Sequence, residues 1–269
     1  MMYSIKIGLN PDIADLGPFA LNWHGILTVL AVIAGFAAIY YFARKDGWKL
    51  EEMAPPVICA IIGGIIFSRL FHVVDQWEIY SQAPLEIITK LWYGASIYGA
   101  IIGGAIGAAI YARIAGWSWT RLARLADVAA PGCILGQAVG RIGCILNGDA
   151  YGTATGLPWG FQYTNANRAV HESTSYVGHP YPVYEIFWDL AIFAMLVIFR
   201  KKFKPPIITY MLYMTLYALG RFVLSFWRVN DDYLWGLQQV QVVGIFVMII
   251  CVPIMVYLIK TRKKYEGYV

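Results

Sequence analysis

The chain is too apolar to be an ordinary soluble protein. It has 269 residues, of which 59% are hydrophobic, and its mean hydropathy is +0.57. Its net charge of +5 comes from basic residues in short loops between apolar runs, so no nucleic-acid partner is predicted. The four cysteines form no CxxC pair and the four histidines lie in separate segments, so no metal site is predicted.

Apolar runs of about 20 residues recur along the chain and predict an all-α polytopic membrane protein, a single membrane domain over residues 1–269. The seven predicted transmembrane helices cover about 21–42, 54–74, 92–112, 125–146, 183–200, 207–227 and 236–259. In the third, Gly103 and Gly107 form a small-xxx-small face that favours close helix packing. The polar segment 148–182 is too long for a hairpin and is predicted to form an outer loop or small cap.

The basic residues predict the orientation of the chain. Fourteen Lys and Arg residues lie in the loops after the first, third, fifth and seventh predicted helices, whereas the N-terminus and the other loops hold four. Because cytoplasmic loops carry the excess of basic residues, the N-terminus is predicted outside and the C-terminus in the cytoplasm. Segment 148–182 then lies on the outer side.

The fourth predicted helix ends in a polar, glycine-rich segment from Gly140 to Gly152. It holds Arg141, Asn147 and Asp149. An arginine near hydrocarbon faces a polar cavity or a partner, and beside exposed backbone donors it suits a phosphate. The alternative is a helix that simply ends, with the arginine reaching the membrane surface.

A second polar feature lies in the sixth predicted helix. Tyr217, Arg221, Ser225 and Arg228 follow helical spacing and predict one polar stripe facing the protein interior. Helix–helix contact alone would explain the tyrosine and the serine. The two arginines favour an anion site instead, at the outer leaflet, where an anionic lipid headgroup is the expected ligand.

Other candidate residues stand near the predicted outer ends of the helices. His24 begins the first helix, and Tyr98 and Gly99 begin a glycine-rich stretch of the third; an aromatic anchor at the interface is the alternative for His24 and Tyr98. Glu185 and Asp189 share one face of the fifth helix. Buried carboxylates there need cationic partners, for which Arg141 or Arg221 are the candidates.

Several short motifs together point to a known family. They are Gly140-Arg141-Ile142-Gly143, Asn147-Gly148-Asp149 and Gly152; Gly17-Pro18 and Trp23-His24-Gly25; Tyr98-Gly99 and Gly103-Gly104; His179-Pro180 and Tyr184-Glu185; Tyr217, Arg221-Phe222, Arg228 and Asp231; and Gln241. In these motifs the chain resembles the prolipoprotein diacylglyceryl transferases of bacteria, over nearly its whole length. It departs from their usual pattern at His24, Tyr98, Cys144, Asp149 and Ser225.

The resemblance implies a seven-helix enzyme of the bacterial cytoplasmic membrane. Such an enzyme transfers the sn-1,2-diacylglyceryl group of phosphatidylglycerol to the lipobox cysteine thiol of a preprolipoprotein and releases glycerol 1-phosphate. Phosphatidylglycerol, membrane lipid and the signal peptide with its lipobox cysteine are therefore the expected partners. No metal or organic cofactor is expected.

The resemblance also assigns roles to residues of this chain. Arg141 and Arg221 would hold the phosphate, and Tyr98 or Tyr217 would assist the thiol. The further substrate-binding candidates are Asn147, Asp149, His24, Gly99, Glu185 and Arg228.

Three other interpretations are open at this stage. A lipid or solute transporter would bind a headgroup with the same arginines and break no bond, although no internal repeat is evident. In an assembly or scaffold protein of the membrane, the arginine pairs would have no chemical role. A diverged paralogue would use another acceptor. The mass of a lipobox peptide after incubation with phosphatidylglycerol would separate them.

Overall fold

A computed structural model describes residues 4–15, 20–89, 96–148, 150–165, 175–203, 205–230 and 233–261. The helices are α1 (Trp23–Lys45), α2 (Leu50–Asp75), α3 (Trp77–Tyr80), α4 (Glu86–Thr89), α5 (Ile97–Ile114), α6 (Trp119–Asn147), α7 (Tyr181–Phe199), α8 (Ile208–Leu224) and α9 (Gln239–Lys260). The strands are β1 (Ile5–Ile7), β2 (Asp12–Asp15), β3 (Ala20–Asn22), β4 (Phe161–Tyr163) and β5 (Val177–Gly178).

The helices agree with a polytopic membrane protein. Five of them, α1, α2, α6, α7 and α9, are long and apolar enough to cross a membrane, and Gly99–Ile114 within α5 is a shorter apolar segment. α8 has 17 residues and occupies the position of the sixth predicted span. The predicted start of the third span, at about residue 92, lies outside the described residues.

The expectation of an all-α fold was incomplete, because the described residues form five short strands beside the helices. β1 pairs in parallel with β4, β4 pairs antiparallel with β5, and β2 pairs antiparallel with β3. Strands of two to four residues are too short to show a period of two in the sequence. The pairing joins the N-terminal segment to the described part of the polar segment 148–182, which contains β4 and β5.

The chain forms two compact units, residues 40–125 and residues 1–39 with 126–269. In the first, α2 and α5 pack closely through glycines. A Cβ atom on Gly103 would collide with the backbone oxygen of Gly63, and one on Gly107 with that of Cys59. The predicted close packing at Gly103 and Gly107 is confirmed.

In the second unit, α6, α7 and α8 surround one apolar core. Its buried members are Ala130, Ile134, Ile192, Leu196 and Tyr213. Asp127 of α6 caps the N-terminus of α8. Its carboxylate accepts hydrogen bonds from the backbone N–H groups of Ile207 (2.6 Å) and Tyr210 (2.9 Å). No side chain of the residue before α8 provides such a cap.

Candidate active site

Arg141 lies one and a half turns before the end of α6. The helix ends at Asn147, and Gly148 follows with φ of +76°, a conformation that favours glycine. The N–H of Gly148 donates to the carbonyl of Cys144 at 2.7 Å and closes the last turn. Gly148 thus ends α6 shortly after Arg141.

A buried carboxylate joins the two arginines that were predicted to hold an anion. One oxygen of Glu185, Oε2, lies 2.8 Å from Nε of Arg141, and the other, Oε1, contacts Nη1 of Arg221. The Glu185 side chain is 3% exposed, and those of Arg141 and Arg221 are 18% and 11% exposed. The predicted pairing of Glu185 with these arginines is confirmed.

Tyr181 completes this arrangement one turn before Glu185 on α7. Its hydroxyl accepts a hydrogen bond from Nη1 of Arg221 at 2.8 Å and donates one to Oε1 of Glu185 at 2.9 Å. The ring is fully buried. Sequence reasoning missed Tyr181, although its spacing of four residues from Glu185 placed it on the same helical face. We call Arg141, Tyr181, Glu185 and Arg221 the arginine cluster.

Arg228 stands beside this cluster, but the prediction that it continues a helical stripe with Tyr217, Arg221 and Ser225 was wrong. α8 ends at Leu224, Ser225–Trp227 form a 3₁₀ turn, and Arg228 follows in extended conformation. The Arg228 guanidinium lies 5.5 Å from the centre of the Tyr181 ring. Within the described part of the chain, it makes no hydrogen bond or ion pair with a side chain.

The position of Arg228 is set by backbone contacts. The backbone of Arg228 forms an isolated β-bridge with Gly152, at the end of the glycine-rich segment from Gly140 to Gly152. The amide of Gln238 donates to the carbonyls of Ser225 at 2.9 Å and Arg228 at 3.0 Å. Sequence reasoning also missed Gln238, because a bond from a side chain to backbone carbonyls leaves no spacing pattern.

The charges of these residues favour an anion. Asp189 follows Glu185 by one turn and is 2% exposed, and no hydrogen bond reaches its Oδ2 atom in the described structure. Even if both carboxyl groups are ionised, the three guanidinium groups of Arg141, Arg221 and Arg228 leave one positive charge in excess among the described residues. Excess charge that is partly shielded from water favours the binding of an anion.

Three other predicted residues lie in the same unit. His24 is in the first turn of α1 and lies against Gly143 of α6. A Cβ atom added to Gly143 would lie 3.4 Å from the Cα atom of His24. Tyr217 packs against the apolar core formed by α6, α7 and α8. Asn147 is half-buried at the end of α6. Their proposed roles stay predictions.

Cys144 also contacts the arginine cluster. The family resemblance leads one to expect asparagine at this position. Its Sγ atom accepts a hydrogen bond from Nη1 of Arg141 at 3.8 Å. It is buried against Ala150 and Tyr181. The thiol therefore helps to hold the Arg141 side chain in place.

The predicted roles of Gly99, Tyr98 and Asp149 are not tested by the described structure. Gly99 belongs to the other unit, where a Cβ atom would collide with the backbone oxygen of Phe67, so its observed role is helix packing. The Tyr98 side chain and Asp149 lie outside the described parts of the chain. Among described residues, no group of three or more His, Cys, Asp or Glu could hold a metal ion.

Comparisons with known proteins agree with the resemblance. The prolipoprotein diacylglyceryl transferase family matches residues 11–257. A phosphatidylglycerol–prolipoprotein diacylglyceryl transferase of Dehalococcoides mccartyi is 39% identical over 263 residues, covering 97% of this chain and 98% of its own. Proteins of the same name from Trichormus variabilis and Clostridioides difficile are 34% and 33% identical, covering 87% and 90% of this chain and 84% and 93% of their own. With matches of this extent, the chain belongs to the prolipoprotein diacylglyceryl transferase family.

Proposed function

We propose that the chain transfers the sn-1,2-diacylglyceryl group from phosphatidylglycerol to the lipobox cysteine of a preprolipoprotein. The sulfur attacks the glycerol carbon that carries the phosphate ester. A C–S bond forms, the C–O bond to phosphate breaks, and glycerol 1-phosphate leaves with both electrons of that bond. The thiol proton passes to a base or to the leaving phosphate.

The observation that carries the proposal is the arginine cluster with Arg228 beside it. The leaving group gains negative charge as the C–O bond breaks, so fixed guanidinium groups in a water-poor site lower the barrier. Arg141 and Arg221 are held by Glu185 and Tyr181, so their geometry is set before the lipid binds. Arg228 has donors left for the phosphate oxygens.

The thiol must lose its proton or be held beside positive charge before it attacks. Tyr98 and Tyr217 are the candidates to assist it, and the arginine excess would favour a thiolate nearby. Asn147 and Asp149 would orient the headgroup glycerol or brace Arg141, and His24 would contribute to substrate binding. Each of these roles rests on the family resemblance and on the residue types.

We further infer seven transmembrane helices, an outer N-terminus and a location in a bacterial cytoplasmic membrane. A helix lies at each of the seven predicted positions, and the strong bias of basic residues to alternate loops supports the orientation. The arginine cluster would then lie toward the outer leaflet, where Arg228 and segment 148–182 meet through the bridge at Gly152.

The reaction itself tests the proposal. The purified protein is incubated with phosphatidylglycerol vesicles and a lipobox peptide, and peptide mass and released glycerol 1-phosphate are measured. We expect one diacylglyceryl group per peptide, and none on a peptide whose lipobox cysteine is replaced by serine. Headgroup binding without any modified peptide would support the transporter alternative instead.

A further inference from the structure

We infer that a tight turn between α8 and α9 inserts a tryptophan into the headgroup region of the bilayer and thereby sets the depth of Arg228. The turn covers residues 234–237. Hydrogen bonds of 3.1 and 2.9 Å between the backbones of Leu234 and Leu237 close it. Its location at a membrane surface rests on the topology proposed above, whereas its insertion does not depend on the transfer chemistry.

The backbone of this turn is unusual for its sequence. Its two central residues, Trp235 and Gly236, have φ of +54° and +71°. A two-residue hairpin turn with positive φ at both central positions favours asparagine, aspartate or glycine, and a bulky residue there is strained. Strain of this kind is typical of positions where the side chain has a function. The turn thus presents a tryptophan where a smaller residue would fit with less strain.

The side chains at the tip of the turn are large, mostly apolar and exposed. Trp235 is 88% exposed, Tyr233 64% and Leu234 40%. Adjacent apolar side chains that remain exposed on a folded protein mark a contact with a partner or a membrane. Tryptophan and tyrosine join an apolar ring to a polar N–H or hydroxyl group, and both are enriched where a membrane meets water. The composition of the tip therefore fits the lipid headgroup region.

The position of the turn in the chain also favours the membrane surface. α9 begins at Gln239, two residues after the turn, and is apolar enough to cross a membrane. Its 22 residues span about 33 Å, close to the thickness of the hydrocarbon core, so both ends of α9 lie near a bilayer surface. α8 packs closely against it, because a Cβ atom on Gly244 would lie 3.1 Å from the carbonyl oxygen of Ala218.

The base of the turn is fastened to Arg228. Gln238 directly follows the turn and is 8% exposed, and its side-chain amide donates to the carbonyls of Ser225 and Arg228. Its backbone N–H donates to Oε1 of Gln241, in the first turn of α9, at 2.9 Å. The depth of the turn in the bilayer therefore determines the depth of Arg228, which must stand at the level of the lipid phosphates to bind one.

A lipid surface suits this turn better than the acceptor peptide does. Peptides bind in grooves or along open strands, where walls surround their side chains. A side chain that is 88% exposed, as that of Trp235 is, has no such walls around it. An interfacial anchor needs only exposed amphipathic area.

The depth of the turn can be measured without turnover. Trp235→Cys, in a full-length background without native cysteines, is labelled with an environment-sensitive fluorophore in vesicles of phosphatidylglycerol and phosphatidylcholine. We expect quenching by lipids that carry a nitroxide near the headgroup and little quenching by aqueous iodide. The matched control is Gly156→Cys, at an exposed position of segment 148–182, where iodide should quench and the nitroxide should not. Quenching of the label at residue 235 by iodide alone would overturn the inference.

Stability and turnover together provide the second readout. Asparagine adopts positive φ more easily than tryptophan, so Trp235→Asn should unfold at the same or a higher temperature. Its kcat with phosphatidylglycerol vesicles should nevertheless fall about tenfold, because Arg228 is displaced, whereas Trp235→Tyr keeps an interfacial side chain and should stay within about threefold of wild type. An unchanged kcat in Trp235→Asn, or a higher KM for the lipobox peptide instead, would overturn the inference. If wild type forms no thioether but the fluorophore still inserts, the proposed function fails and the membrane contact stands.

Discussion

Replacing Glu185 by glutamine probes the arginine cluster most sharply. The variant keeps the size of the side chain and an oxygen for the Tyr181 hydroxyl, but it removes the charge that joins Arg141 to Arg221. Both guanidinium groups are less than one-fifth exposed, so water can compensate little. Breaking a buried ion pair on one side costs about 3–5 kcal/mol, and we expect a loss of stability in that range.

The control is a carboxylate that pairs with an arginine at the surface of the other unit. Glu52 lies 2.9 Å from Arg121, and both side chains are about 40% exposed. Exposed pairs contribute about 1 kcal/mol or less, so Glu52→Gln should change the unfolding midpoint little.

Thermal unfolding in detergent, with and without inorganic phosphate, measures both variants. Phosphate should stabilise Glu185→Gln more than wild type, because an anion can replace the lost carboxylate; binding at 100 times Kd contributes about 2.7 kcal/mol. If Glu185→Gln is as stable as Glu52→Gln and phosphate has no differential effect, the cluster is not a buried anion site.

Three further predictions follow from the site and the topology. Arg141→Lys or Arg221→Lys should lower kcat by a hundredfold or more, because a point charge cannot replace the two-pronged contact with phosphate; near-normal turnover would remove that arginine from the mechanism. Tyr98→Phe should lower turnover by about 10²-fold and change its pH profile, and an ordinary rate would assign thiol activation to another group. In a background without native cysteines, an impermeant thiol reagent outside the cell should label Gly156→Cys and not Lys202→Cys; the reverse pattern would contradict the orientation.

Hydropathy predicted the long helices because each must satisfy its backbone hydrogen bonds within itself to cross a membrane. The same physics predicted that Arg141, Arg221 and Glu185 would meet, since buried charges require partners. It did not predict that α8 ends at Leu224. A 3₁₀ turn follows and alters the helical spacing, so Arg228 leaves the stripe that the sequence suggests, whereas Ser225 stays buried at the end of α8.

The strands and the support of Arg228 could not be predicted for a different reason. β1 and β4 are separated by about 150 residues, and each has only three. Such pairings depend on tertiary structure and not on local propensity. The hydrogen bonds from Gln238 to two carbonyls are equally invisible in the sequence, although they help to place Arg228 over Tyr181.

The bond that breaks in the lipid tests the central claim most directly. Phosphatidylglycerol is prepared with ¹⁸O at the position that joins the diacylglyceryl carbon to phosphorus. The masses of the products of one turnover with a lipobox peptide are then measured by mass spectrometry. Attack of sulfur on carbon, with the phosphate held by the arginines, places the label in the released glycerol phosphate and none in the modified peptide. Recovery of the label in diacylglycerol, with an unmodified peptide, would contradict the account.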